Sequence, residues 1–459
     1  MKRLPFVEPA VMLATVVQWL VLATITGALV GTATSAFLLA LFAFEGRSES
    51  APLWLQMSLL PVAGLANGLL LYYGYRRAHT TLKDSEITAV NEQRGTMPLR
   101  TALIKPLAAL LTLWGGGSAG KEGPCSHIGA SVAAAIGEGL HLNSEIRRRL
   151  VACGVSAGFA SVFGTPVAGA IYGVEVLAIG RVRHDFLFPG IVASVTSFQV
   201  SQFWGVPYPE YHLEFAGHFT QLLFLKTVVI GILCGVAAWW FVEAIQRVRQ
   251  LTQWLQHVLG LWQPLMPMLG GLVLAALISF VPTDYLGLSL PTMYAALGGE
   301  PMPYLGFVWK ILLVAVTLGS GFYGGVVTPQ FVIGAVVGSA FAHFLGLDPA
   351  LGAGVGFCAV VAAASNTPIA AIFMGVELFG GSSTLHVAGA SIAAYLVIGH
   401  RSVYPEQQLA YTKTSWLSAP PDALVGREKV HLSRGLLRWW HSRFGDAPPG
   451  RQRRQGRAD

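Results

Sequence analysis

The sequence is short of charge. Of its 459 residues only 12% are Asp, Glu, Lys or Arg, about half the share usual in a soluble globular domain. That scarcity, with a mean hydropathy of +0.57, excludes a chain whose main solvent is water. The four cysteines stand singly at 125, 153, 234 and 358, with no CxxC and no Cys/His spacing. A disulfide framework and a zinc site are therefore excluded, and the cysteines read as small core residues. No HExxH occurs, and no serine–histidine pair lies in a hydrolase motif. An intramembrane enzyme using Ser118, His127 or Glu122 is accordingly a remote alternative, and no metal or cofactor is called for. The opening MKRLPFVEPAVML is basic, but no small-residue cleavage site follows its apolar stretch. It reads as a retained first span rather than a signal peptide.

What is there is apolar sequence in runs. Stretches 11–44, 51–73, 101–116, 149–179, 186–204, 221–243, 264–281, 305–319, 327–346, 351–364 and 368–399 are candidates to lie in lipid. About 20 apolar residues span a bilayer as a helix. Several of these runs are too long for one crossing and others too short, which predicts tilted, broken and re-entrant helices in one all-α, polytopic membrane protein. Positive charge gathers at span ends, at Arg76–Arg77, Arg147–Arg149, Arg181, Arg183, Arg247 and Arg249, and again from Arg427 onward. The basic tail places the C-terminus in the cytoplasm and the chain in a plasma (inner) membrane. A juxtamembrane basic segment explains that tail without nucleic acid. Residues 406–459 carry no pattern of a folded domain and are expected to be largely disordered.

The chain also repeats itself. Residues 165–177 read TPVAGAIYGVEVL and 367–379 read TPIAAIFMGVELF, with Thr-Pro and Gly-Val-Glu aligned 202 positions apart (165 to 367). GGGSAGKEGPCSHIGA at 115–130 has a counterpart in GSGFYGGVVTPQFVIGA at 319–335. Two related halves, 1–205 and 206–405, follow, and sequence alone leaves open whether they run parallel or inverted. Duplicated halves with matched Gly/Pro interruptions point to a transporter or channel whose site lies between the repeats.

The interruptions resist helix. Gly costs about 1 kcal/mol and Pro about 3 kcal/mol in a helix interior, whereas Pro suits a first turn. One helix is therefore expected to start near Glu122-Gly123-Pro124 and another near Val327-Thr328-Pro329. Each start presents unpaired N–H groups and the positive end of a dipole, which at membrane depth call for an anion. Two such starts facing one another would bind a small anion without a full positive charge. Glu122 is either a helix cap at an exposed end or a movable anion mimic. Its apolar flanks, and a matching break without a carboxylate, favour the mimic.

These residues carry a resemblance. Gly120-Lys121-Glu122-Gly123-Pro124 with Ile128-Gly129 resembles the GREGP segment of the CLC chloride channel and transporter family. Gly324-Gly325-Val326-Val327-Thr328-Pro329 is similar to that family's second anion-binding helix start. FGTPVAGAIYGVEV at 163–176 resembles the helix after the gating segment, and Tyr404 falls where the family places an anion-contacting tyrosine. The resemblance covers residues 10 to about 410. It implies a CLC-type inverted repeat, a homodimer with one pore per subunit, Glu122 as gate, and an anion site built from Gly120, Lys121, Glu122, Gly123, Val326, Val327, Thr328 and Tyr404. On residue type alone Tyr404 is equally an interfacial aromatic, and Thr328 equally a cap.

Three departures matter. The family's Gly-Ser-Gly-Ile-Pro stretch is replaced by TTLKDSEITAV at 80–90, with no evident substitute ligand. The position of an internal glutamate common in proton-coupled members holds Val176. The fluoride-exporting branch carries Gly-Gly-Glu-Val-Thr-Pro, and its glutamate position here is Val326. A valine relays no proton, so the sequence favours a passive, glutamate-gated chloride channel, with a proton-coupled chloride or fluoride antiporter as the alternative. A neutral-solute pore of the aquaporin kind is disfavoured by Glu122. Glu175 and Glu377 read as structural hydrogen-bonding groups.

Overall fold

The computed structural model describes residues 7–49, 52–76, 85–209, 219–427, 430–433 and 435–436. Eight helices come first: α1 Val7–Glu49, α2 Leu53–Arg76, α3 Glu86–Asn91, α4 Thr101–Trp114, α5 Glu122–Gly139, α6 Ser144–Phe163, α7 Pro166–Glu175 and α8 Leu187–Phe203. A second eight follow in the same succession: α9 Gln221–Leu259, α10 Leu265–Leu277, α11 Leu290–Leu297, α12 Gly306–Gly319, α13 Val327–Ala342, α14 Pro349–Ala364, α15 Pro368–Phe379 and α16 Thr384–Val397. The architecture is an inverted repeat of tilted and broken helices. Among the described residues five helices are long and apolar enough to cross a membrane, and five more apolar helices are only 10–17 residues long.

The long apolar runs break where the sequence has punctuation. Run 149–179 splits at Gly164, whose φ of +71° ends α6 before Thr165-Pro166 opens α7. Run 368–399 splits at Gly380, φ +78°, between α15 and α16. The two halves pack by the same device. Gly129 of α5 lies against the backbone of Gly154 in α6, and Gly334 of α13 lies against that of Gly356 in α14. A Cβ at any of the four would meet the opposing carbonyl. Helices in lipid associate through such small-residue contacts because lipid supplies no hydrophobic drive between them.

The region after residue 405 differs from the disorder expected of it. Strand β1 (Ala178–Ile179) pairs in parallel with β2 (Gln408–Leu409), which pairs antiparallel with β4 (Ala423–Leu424). A second ladder joins β3 (Leu417–Ser418) to β5 (His431–Leu432). The cause is polar: the chain after α7 leaves backbone groups that need partners, and the later segment supplies them. Gln407 Nε2 donates to the carbonyls of Val176 (2.9 Å) and Ser365 (2.8 Å). Lys413 Nζ donates to Asn366 Oδ1 (2.6 Å) and to the Tyr395 carbonyl (2.7 Å). Residues 437–459, with most of the basic tail, lie outside the described residues.

Candidate functional site

The two interrupted segments meet. Gly120 and Gly325 exchange backbone hydrogen bonds of 2.8 Å in each direction, an isolated antiparallel bridge. That bridge holds the starts of α5 and α13 side by side. Lys121 is the residue before α5 and Val326 the residue before α13, and neither start has a side-chain cap. The orphan N–H groups of α13 are met instead by Glu122. Its Oε1 accepts from the Val327 N–H, and its Oε2 accepts from the Thr328 hydroxyl at 2.7 Å. Glu122 is 2% exposed and Thr328 1%, so this contact is desolvated and strong. The glycines leave room for this placement, since a Cβ at Gly120 or at Gly325 would run into the Glu122 carboxylate. A carboxylate thus lies where a helix dipole and its free donors favour an anion.

The Thr328 hydroxyl is given to the Glu122 carboxylate, and α13 has no side-chain cap of its own. Gly123 packs its Cα side against Gly325. The Lys121 ammonium does not join the carboxylate: it lies over the Phe42 ring, 4.7 Å from its centroid. Val176 and Val326 both sit in apolar packing.

Around this centre the structure joins residues named from sequence to polar groups that were not: Tyr172, Lys105, Glu86 and Lys310. Tyr404 meets Tyr172 of α7, hydroxyl to hydroxyl, at 2.6 Å. His127 Nδ1 donates to the Gly123 carbonyl at 2.8 Å; a carbonyl only accepts, so Nδ1 carries the hydrogen. Nε2 is then left facing Lys105 Nζ at 2.6 Å and Glu86 Oε2 at 3.0 Å. Lys310, fully buried in α12, donates to Ser118 Oγ (2.9 Å), Ser289 Oγ (2.8 Å) and the carbonyls of Tyr285 (3.2 Å) and Gly287 (3.0 Å). It thereby braces the loop ahead of Glu122. Lysines alone in the apolar helices α4 and α12 were a usable signal, since such a cation must find buried acceptors. Ser118 and His127, the residues weighed for chemistry, are committed to these separate networks. Of residues 80–90, where the family's first motif would fall, 80–84 lie outside the described residues, while Ser85 caps α3 by accepting from the Thr88 N–H.

A second pair of helix starts lies nearby. Glu175, at the end of α7, accepts from the N–H groups of Ile369 (3.1 Å) and Ala370 (2.8 Å) in α15. Glu377, in α15, accepts from those of Val167 and Ala168 in α7, both at 2.8 Å. Each repeated Gly-Val-Glu therefore caps the other half's helix, the structural role expected for these glutamates.

An inverted repeat of broken helices, with two helix starts joined around one desolvated acid, defines a membrane protein of the anion-transporting class. The profile described as voltage gated chloride channel matches residues 63–399, and the chain belongs to that family, the CLC proteins. It is 36% identical over 405 residues to the chloride/fluoride channel protein of Pseudomonas syringae pv. tomato, covering 87% of this chain and 88% of that one. It is 27% identical over 388 residues to the voltage-gated ClC-type chloride channel ClcB of Escherichia coli, covering 79% and 84%. Among solved structures, a CLC-type fluoride/proton antiporter superposes with a TM-score of 0.79 at 29% identity, over 86% of this chain and 98% of that one. A slow cyanobacterial Cl-/H+ antiporter superposes at 0.69 and 23% identity, over 83% and 94%, a likeness of fold.

Proposed function

We propose that this chain is a proton-coupled anion antiporter that exchanges chloride or fluoride for protons, with Glu122 as both gate and proton carrier. The observation that carries the reading is the Glu122 carboxylate seated on the Val327 N–H and the Thr328 hydroxyl. In that position it competes with an anion for the same donors. Protonation removes the charge that the α13 start attracts, so the acid leaves, an anion enters, and the proton moves with the side chain. Gly120, Lys121, Gly123, Val326 and Val327 would form the backbone wall of the anion path, and Thr328 would lend its hydroxyl to the ion.

The leaning to passive conduction drawn from Val176 and Val326 gives way here. Its support was two missing acids, whereas the solved structure that superposes at a TM-score of 0.79 is a CLC-type fluoride/proton antiporter. Passive conduction stays as the second reading because both internal positions remain apolar. The proposal further places the protein as a homodimer in the plasma membrane with its C-terminus in the cytoplasm, and assigns it no chemical conversion.

Reconstituted liposomes test it. With an outward chloride or fluoride gradient and no pH gradient, uphill proton movement is the expected result for wild type and its loss the expected result for Glu122→Gln. Large anion flux with no proton movement in wild type would replace the antiporter with a channel.

A further inference from the structure

We infer that Tyr172 is an anion ligand, its hydroxyl and that of Tyr404 forming a two-phenol cradle on the path beside Glu122. The inference deepens the proposed function and rests on its claim that an anion passes Glu122. Three observations carry it. First, the hydroxyls lie 2.6 Å apart although they come from opposite halves of the repeat, α7 and the segment after α16. Second, a ladder of rings ties the pair to the helix whose start holds Glu122: Tyr172 lies on Phe159, Phe159 against Phe163 (4.8 Å between centroids), and Phe163 against Phe331 of α13 (4.9 Å). Third, the Tyr172 ring is fixed before any ion arrives. It is 3% exposed and stacks on Phe159, centroids 3.9 Å apart.

Counting protons shows what the pair can offer. Two phenols have two O–H donors, and one is consumed between them. The second is the one the pair can turn to an ion. Ser365, at the end of α14, sends its own proton to Gln330 Oε1 at 3.0 Å. Gln330 adds a donor: it is fully buried, and its Nε2 has no partner among the described residues. Hydroxyl and amide donors without a carboxylate of their own suit an anion. Fluoride feels the loss of one such donor more than chloride does, because the smaller ion takes the stronger hydrogen bond.

The bland alternative is that Tyr172 only satisfies Tyr404. Chloride and fluoride binding to detergent-purified full-length protein, measured calorimetrically, separates the two. Tyr172→Phe keeps the ring stack and should weaken binding roughly tenfold, more for fluoride than for chloride. The same loss should persist in a Tyr404→Phe background, because a ligand acts on the ion itself. Wild-type affinity in Tyr172→Phe, or a loss that vanishes once Tyr404 is phenylalanine, would overturn the inference. So would a wild-type protein that binds neither ion. A crystal of wild type grown in bromide answers independently of any variant: anomalous density within hydrogen-bonding distance of the Tyr172 hydroxyl is expected, and density on Tyr404 alone overturns it. Proton flux in liposomes stays a separate readout. Binding that depends on Tyr172 without proton movement would end the coupled-exchange reading and leave the ligand standing.

Discussion

The molecule holds two pairs of helix starts at its centre, and carboxylates serve them differently. At α7 and α15 the service is reciprocal, with Glu175 and Glu377 each crossing to the other half and each taking two backbone N–H groups. At α5 and α13 it is one-sided. Glu122 crosses to α13, while the corresponding segment of the second half has Val326 and Val327 and sends nothing acidic back. A symmetric pair of caps makes a closed structural joint. A pair with only one such carboxylate leaves a helix start with donors to spare, and that is the physical requirement for an anion site.

The largest effect expected from breaking this contrast is on stability. Glu175→Ala or Glu377→Ala strands two N–H groups at a helix start, and each should cost about 3 kcal/mol, read as a lowered Tm of the detergent-purified protein. A Tm within the range of ordinary surface substitutions would show that the reciprocal caps are not structural. Glu122→Gln keeps the side chain's size, so its Tm should stay near wild type while proton movement falls on the order of 100-fold. Anion flux in that variant should persist and lose its dependence on pH. Retained pH dependence would remove Glu122 from its assigned role.

Smaller effects sharpen the comparison. Thr328→Val deletes one of the two anchors of the Glu122 carboxylate, a loss of about 1–2 kcal/mol. The expected result is a faster anion leak and a shifted chloride/fluoride preference in tracer flux; an unchanged preference would leave Thr328 a packing residue. Lys413→Met cuts the tie from the C-terminal strands to Asn366 and Tyr395. It should lower stability by roughly 0.5–1 kcal/mol with transport intact, detectable as earlier proteolysis near residue 413.

Much of this centre could be read from sequence because helix breaks are local. Gly and Pro announce where α5, α7, α13 and α15 begin, and the same residues recurring in both halves reveal that the breaks are paired. The internal match of Gly-Val-Glu likewise points to a structural role for Glu175 and Glu377. The contacts that escaped are those between residues far apart in the chain, whose local surroundings are ordinary. Tyr172 looks like a core aromatic in an apolar helix, and only folding brings residue 404 to it. Glu86 looks like a first-turn acid until His127 and Lys105 arrive from two other helices. The strands after residue 405 are two residues long, too short to show alternation, and they exist because the ends of α7 and α14 need partners there.

The bridge between Gly120 and Gly325 has a consequence for speed. Because the two loops are stitched backbone to backbone, the walls on either side of the acid travel together and hold their spacing. Access can then change hands through the turning of a single side chain, with no rocking of one half against the other. Under the proposed exchange, such a device is limited by how soon a proton reaches one buried oxygen rather than by the slow swing of tens of kilodaltons through lipid.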